Sequence, residues 1–177
     1  NIMTMKNVTK RVALLVASVS SFITPFLGSS MNIALPGIGR EFGMDVVYLS
    51  WLVTSYLLAT AVFLVPFGRI ADIYGRKIFL YGTITFTVGS ILAAFAPNAH
   101  LLLVTRVVQG LGSAMVFGTG VAILISVYPL KERGKALGIN VASVYLGLSL
   151  GPTLGGLLTH HFGWRSIFMV TSALGIL

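Results

Sequence analysis

The sequence predicts an all-α bundle of membrane-spanning helices. Three observations carry this expectation: the composition, the repeated length of the apolar runs, and the collection of basic residues in alternate loops. Of the 177 residues, 56% are hydrophobic and 9% are charged, against about 25% charged in a soluble domain. Several stretches of roughly 20 residues carry no charge. A helix of that length, rising about 1.5 Å per residue, crosses a hydrocarbon core of about 30 Å. The formal net charge is +8, but the basic residues are scattered over short loops. They read as topology signals, not as a face for nucleic acid. The lack of cysteine excludes disulfides, thiolate metal sites and a cysteine nucleophile.

The first span runs from about Val12 to Leu35, behind Lys6, Lys10 and Arg11, and leads into Asn32-Ile33-Ala34-Leu35-Pro36. It is longer than the apolar core of a signal peptide, about 7–15 residues, and so reads as a retained span. The second span is Tyr48–Phe67 and the third is Ile78–Ala96. The ten residues between them, 68–77, hold Arg69, Asp72, Arg76 and Lys77, and are expected to form a tight turn outside the bilayer. Gly68 and Gly75 would allow the sharp backbone path, and Asp72 would pair with Arg69, Arg76 or the start of the next helix. The fourth span is about Leu101–Tyr128, the fifth about Ala136–Thr159, and the sixth runs from Trp164 to Leu177. The short connections Pro97-Asn98-Ala99-His100 and Pro129 to Lys135 make the spans that they join antiparallel neighbours. The chain starts at Asn1, and the last apolar run stops at Leu177. Both ends therefore read as cut, and the sixth span as truncated.

The basic residues orient the bundle. The N-terminal tail, the 68–77 turn and the 129–135 connection carry Lys6, Lys10, Arg11, Arg69, Arg76, Lys77, Lys131, Arg133 and Lys135, whereas the opposite loops carry Arg40 and Arg165. This excess places the N-terminus and the 68–77 turn in the cytoplasm, and a multi-pass protein of the cytoplasmic membrane is expected.

Arg106 belongs to neither set of loops. It lies roughly 8 Å down the axis of the fourth span from its outer end. A guanidinium at that depth is costly unless it snorkels to the interface, faces the bundle interior or reaches water. In the fifth span, Gly147, Gly151 and Gly155 fall on one bare face suited to close helix packing, and Pro152 removes an intrahelical hydrogen bond and bends the helix. Asn32, Tyr56 and Gln109 are polar or amphipathic groups on apolar helices, either substrate contacts in a cavity or helix–helix hydrogen bonds. His160 and His161 point about 100° apart on a helix, so they read as interfacial residues and no metal site is expected. Trp164 is expected to anchor at the headgroups. No phosphate loop, dinucleotide fingerprint or Ser/His/Asp set is present, which leaves ATP-driven pumping and enzymatic activity without support.

The order Gly68, Ala71, Asp72, Gly75, Arg76, Lys77, closed by Leu80, resembles motif A of the major facilitator superfamily, with Ile73 standing where the family often has a basic residue. Leu102, Arg106, Gln109, Gly110, Gly112 and Ala114 resemble motif B of its proton-coupled members. Gly147, Gly151, Pro152, Gly155 and Gly156 resemble motif C, the antiporter signature. Asn32 to Pro36, Trp51 to Leu58 and Gly163 to Phe168 extend the likeness over nearly the whole chain, most closely to the fourteen-span branch of the drug:proton antiporters.

The resemblance implies six helices built as a 3+3 inverted repeat, residues 1–177 forming the N-terminal half of a larger transporter whose C-terminal half is missing here. It implies export of a hydrophobic, cationic or amphipathic small molecule in exchange for protons, with the proton gradient as energy source and no cofactor. Arg106, Gln109 and Gly110 would serve proton coupling. Gly68, Asp72, Gly75, Arg76 and Lys77 would latch the cytoplasmic side, and the bend at Pro152 would shape the packing between halves. That branch usually carries an acidic residue where this chain has Leu27. The only acidic residues are Glu41, Asp45, Asp72 and Glu132, all expected in loops, so a carboxylate that carries the proton would lie outside this chain, or this member couples differently. A uniporter or symporter of a metabolite is the alternative within transport, and motif C argues against it. An incomplete membrane scaffold or homodimer is the alternative outside transport.

Overall fold

The computed structural model of the chain describes the backbone of residues 2–176 and the side chains of residues 9–176 other than Asp72. It contains six helices: α1 (Ile2–Phe42), α2 (Val46–Tyr74), α3 (Arg76–Ala94), α4 (Ala99–Val127), α5 (Leu130–Phe162) and α6 (Arg165–Ile176). No strand occurs among the described residues, in agreement with the all-α expectation. Five helices are long and apolar enough to cross a membrane, and α6, with 12 residues, is shorter. The Lys6 side chain and Leu177, used above in the charge count and the sixth span, lie outside the described residues.

The helices run beyond the apolar runs, and this shrinks the connections. The expected ten-residue turn at 68–77 is the clearest correction. Helix α2 continues through Arg69 to Tyr74, α3 begins at Arg76, and the chain reverses at the single residue Gly75, with φ +33° and ψ −102°. That φ lies in the region open chiefly to glycine, so Gly75 is the turn. Gly68 is helical and serves packing instead. A Cβ on Gly118 of α4 would stand 3.1 Å from the Gly68 backbone nitrogen. Likewise α5 starts at Leu130 directly after its N-cap Pro129, so Lys131, Arg133 and Lys135 lie on helix and not in a loop. Helix α1 passes through Pro36 and ends at Phe42. The N-termini of α2 and α4 are capped by side chains: the Tyr48 amide donates to Asp45 Oδ1 at 2.8 Å and the Leu101 amide to Asn98 Oδ1 at 2.8 Å.

Packing is dominated by α1 against α5, α2 against α4, and α3 against both α4 and α6. Exchanging α1 with α4, α2 with α5 and α3 with α6 turns the α1–α5 pair into the α4–α2 pair, as an inverted repeat requires. Small residues make the two pairs close. Cβ atoms on Gly147 and Gly155 would collide with the Phe22 carbonyl and with Ser30 of α1, and one on Gly110 would stand 2.6 Å from the Tyr56 carbonyl oxygen of α2. Apolar residues drive little association between helices surrounded by lipid, so this backbone proximity supplies dispersion and hydrogen bonding instead.

The main core lies toward the expected outer end, where Leu27, Met31, Ala34 and Ile38 of α1 meet Leu52, Leu102, Ile167 and Phe168. Trp164 belongs to this core. It is 5% exposed, its ring lies edge-on to Phe42 and Phe168, and its Nε1 donates to Glu41 Oε2 at 2.7 Å. The expectation of a headgroup anchor is therefore corrected: the indole braces α1 against α6. Arg165 completes the brace, donating to Glu41 Oε1 at 2.5 Å and to the Ala96 carbonyl at 3.1 Å. At the opposite end, Lys10 pairs with Glu132 at 2.8 Å and the Tyr128 hydroxyl donates to the Lys10 carbonyl at 2.9 Å.

Candidate functional site

Between the two glycine-tightened pairs lies a cavity of about 440 Å³, walled by α1, α2, α4 and α5. Its polar wall includes Asn32, Tyr56, Thr60 and Arg106. Tyr56 and Thr60 sit four residues apart and so share one face of α2, with Leu52 one turn earlier. On α4, Arg106, Gln109, Gly110 and Ser113 follow the spacing of three and four that defines one helix face.

Arg106 is fully buried, at 0% exposure. Its side chain therefore faces the bundle interior, which decides between the two orientations that position alone left open. Nε donates to the Leu52 carbonyl at 2.9 Å, Nη1 donates to Gln109 Oε1 at 2.8 Å, and Nη2 has no hydrogen-bond partner. The guanidinium carbon lies 4.4 Å from the centre of the Tyr56 ring, a separation at which the negative face of the ring attracts the cation. Gln109 passes the chain on, its Nε2 donating to Ser90 Oγ at 2.9 Å, and Ser90 Oγ donates to the Phe86 carbonyl at 2.9 Å. The Tyr56 hydroxyl is paired with Ser113 Oγ at 2.8 Å.

The remaining wall hydroxyls are largely satisfied by backbone. Thr60 donates to the Tyr56 carbonyl at 2.8 Å, Thr24 to the Ser20 carbonyl at 3.1 Å, and Ser29 to the Pro25 carbonyl at 3.0 Å. The cavity thus offers two outstanding polar features, the Arg106 cation in its wall and the exposed Asn32 side chain. Chemically, such a site holds a fixed positive charge beside a mainly apolar volume able to take a small amphipathic molecule.

The structure brings Asn32, Tyr56, Arg106 and Gln109 into one neighbourhood, with Gly110 as the close contact that lets α4 approach α2. Gly68, Gly75, Arg76 and Lys77 stand at the far end of α2. Leu52 and Gly75 are 23 residues apart, about 35 Å of helix at 1.5 Å per residue. The Asp72 side chain lies outside the described residues. Gly147, Gly151 and Gly155 are buried against α1, while Pro152 is exposed on the other side of α5. The glycines of this motif hold together two helices of this bundle. Ser30 Oγ donates across that contact to the Gly151 carbonyl at 2.9 Å. Two participants escaped the sequence reading. Ser113 follows Arg106 by seven residues, so the helical period alone could have found it. Ser90 comes from α3, and nothing in the sequence links it to Gln109. His160 and His161 are exposed, with ring centres 4.9 Å apart, and no metal-binding group of side chains occurs among the described residues.

Comparison with known proteins agrees with this architecture. The riboflavin transporter RibZ of Clostridioides difficile is 34% identical over 169 residues, covering 95% of this chain and 37% of that protein. The multidrug resistance protein Stp of Mycobacterium tuberculosis is 40% identical over 173 residues, covering 97% of this chain and 32% of its own length. The cephamycin export protein CmcT of Amycolatopsis lactamdurans is 35% identical over 175 residues, or 98% of this chain and 36% of that protein. The chain thus spans about a third of the length of the curated relatives that it matches. The family description Major Facilitator Superfamily fits residues 17–177. With six helices packed as an inverted repeat around a cavity and a family match over nine-tenths of its residues, the chain belongs to the major facilitator superfamily of multi-pass membrane transporters.

Proposed function

We propose that this chain forms the N-terminal six-helix part of a proton-coupled exporter of hydrophobic or amphipathic compounds in the cytoplasmic membrane. The observation that carries the reading is the buried Arg106 network in the wall of the cavity between α1, α2, α4 and α5. A charge kept there in spite of its desolvation cost is characteristic of substrate or ion pathways. The likeness to multidrug and antibiotic exporters supports the outward direction, and the basic residues support a cytoplasmic N-terminus. In this reading a C-terminal half faces the exposed sides of α1, α2, α4 and α5, and rocking between the halves gives alternating access. The turn at Gly75, with Gly68, Asp72, Arg76 and Lys77, latches the cytoplasmic side. Arg106, Gln109 and Gly110 tune proton coupling.

The test is export of fluorescent amphipaths of different headgroup charge from everted membrane vesicles carrying the protein expressed from its complete reading frame. The expected result is export that stops when a protonophore collapses the gradient and when Arg106 is replaced by Gln. Export that survives the protonophore would remove proton coupling, and no export from well-inserted protein would remove the exporter reading. The likeness to a riboflavin transporter favours a second reading, transport of a metabolite. Riboflavin counterflow in proteoliposomes, in the absence of amphipath export, would establish it.

A further inference from the structure

The charge balance around Arg106 goes further than the family reading. Of the four acidic residues, Glu41 is engaged by Trp164 and Arg165 at the end of α1, Asp45 caps α2, and Glu132 pairs with Lys10 at the start of α5. The fourth, Asp72, lies on α2, 20 residues from the Leu52 carbonyl that binds Arg106, about 30 Å along the helix. Among the described side chains, therefore, no carboxylate neutralises this guanidinium. Its neutral partners, a carbonyl, an amide oxygen and an aromatic face, satisfy Nε and Nη1 and leave Nη2 without an acceptor while wholly covered. A buried cation with an unfilled donor is incomplete, and an anionic oxygen is the group that completes it, because a charge-assisted pair restores what burial removed. Arg106 forms part of the wall of the cavity, and so do Tyr56 and Asn32.

The geometry points to an anionic headgroup on the transported compound as that missing partner: this half of the transporter selects amphipaths that carry a carboxylate or similar acid over cations of the same apolar body. Nη2 is covered in the present conformation, so the headgroup reaches it when the cavity wall around the guanidinium, which includes the Tyr56 ring, opens. Asn32 stands exposed on the α1 wall and supplies a neutral polar contact. This rests on the cavity being the transport site, as proposed above. It replaces the cationic substrate expected from the family likeness with an acidic one.

The test uses one apolar body with three headgroups: pyrenebutyric acid, pyrenebutanol and a pyrenebutyl trimethylammonium salt. Binding is read by pyrene fluorescence with the protein from its complete reading frame in nanodiscs, and export is read in proteoliposomes. The acid is expected to bind about 10- to 100-fold more tightly than the alcohol, as a charge-assisted pair in a covered site gives, and the cation most weakly. Arg106→Gln should bring binding of the acid down to that of the alcohol. Should Arg106→Gln fail to fold, Asn32→Asp, on an exposed wall position, should weaken the acid and strengthen the cation.

A preference for the cation, or an acid preference that survives Arg106→Gln or Asn32→Asp, would overturn the inference. The first of these results would mean that a carboxylate elsewhere in the protein already pairs with Arg106. Proton-driven export of the alcohol without acid preference would overturn it and leave the exporter reading standing. Acid binding that depends on Arg106, without proton-driven export, would support it and remove the exporter reading.

Discussion

Adjacent glycines in the fifth helix should respond in opposite ways to one added methyl group. A Cβ on Gly155 would stand 2.6 Å from Ser30 Cβ and 2.9 Å from Ser30 Cα, whereas a Cβ on Gly156 would find only Ile33 Cγ2, at 3.7 Å. Carbon atoms rest about 3.5–4.0 Å apart, so Gly155→Ala forces α1 and α5 to separate by about 1 Å. Overpacking of this kind costs about 1–3 kcal/mol. The separation also stretches the Ser30–Gly151 bond of 2.9 Å and the Ser29–Gly147 bond of 3.3 Å, each worth about 0.6 kcal/mol between membrane helices. Against this, Gly→Ala gains up to about 1 kcal/mol of helix propensity. The net expectation is a loss of about 1–3 kcal/mol for Gly155→Ala, and a change between zero and a gain of about 1 kcal/mol for Gly156→Ala. At about 2–4 °C per kcal/mol for a chain of this size, the two variants should differ by several degrees. Intrinsic tryptophan fluorescence on heating in detergent would record it, since Trp164 sits in the core joining α1 and α6. Equal melting temperatures for the two variants would refute the assignment of the glycine face to the α1 contact.

Two further outcomes test other parts of the structure. Ser90→Ala removes the acceptor of Gln109 Nε2 and leaves a buried amide donor unpaired, so it should cost about 1–2 kcal/mol in the same melting assay; no change would mean that Gln109 is not held by α3. This chain contains no cysteine, so a single thiol introduced into it reports its orientation. A thiol at Leu130→Cys, where the residue is 80% exposed, should react with an impermeant maleimide only after cells are permeabilised, and one at His161→Cys should react in intact cells; the reverse pattern would invert the proposed topology.

Some of this molecule follows from the sequence without any tertiary knowledge. Length and apolarity specify spanning helices because the bilayer offers no partner for an unpaired backbone group. Glycine spacing in the fifth helix specifies a bare face, and the depth of Arg106 sets a charge inside a span, with its orientation left open. Other features depend on what a residue meets. Gly68 and Gly75 look alike in a ten-residue stretch, yet one is a helix contact and the other is the turn, because α2 continues through Gly68 against Gly118 of α4 and ends where φ turns positive at Gly75. Trp164 has the composition of an interface anchor, but Glu41 lies within reach of its indole nitrogen and the ring is enclosed. The direction of the glycine face toward α1, the link from Gln109 to Ser90, and the unfilled Nη2 of Arg106 are all relations between helices. Periodicity states which residues share a face of one helix. Which neighbour that face meets is set by the packing of the whole bundle, and there the sequence alone is silent.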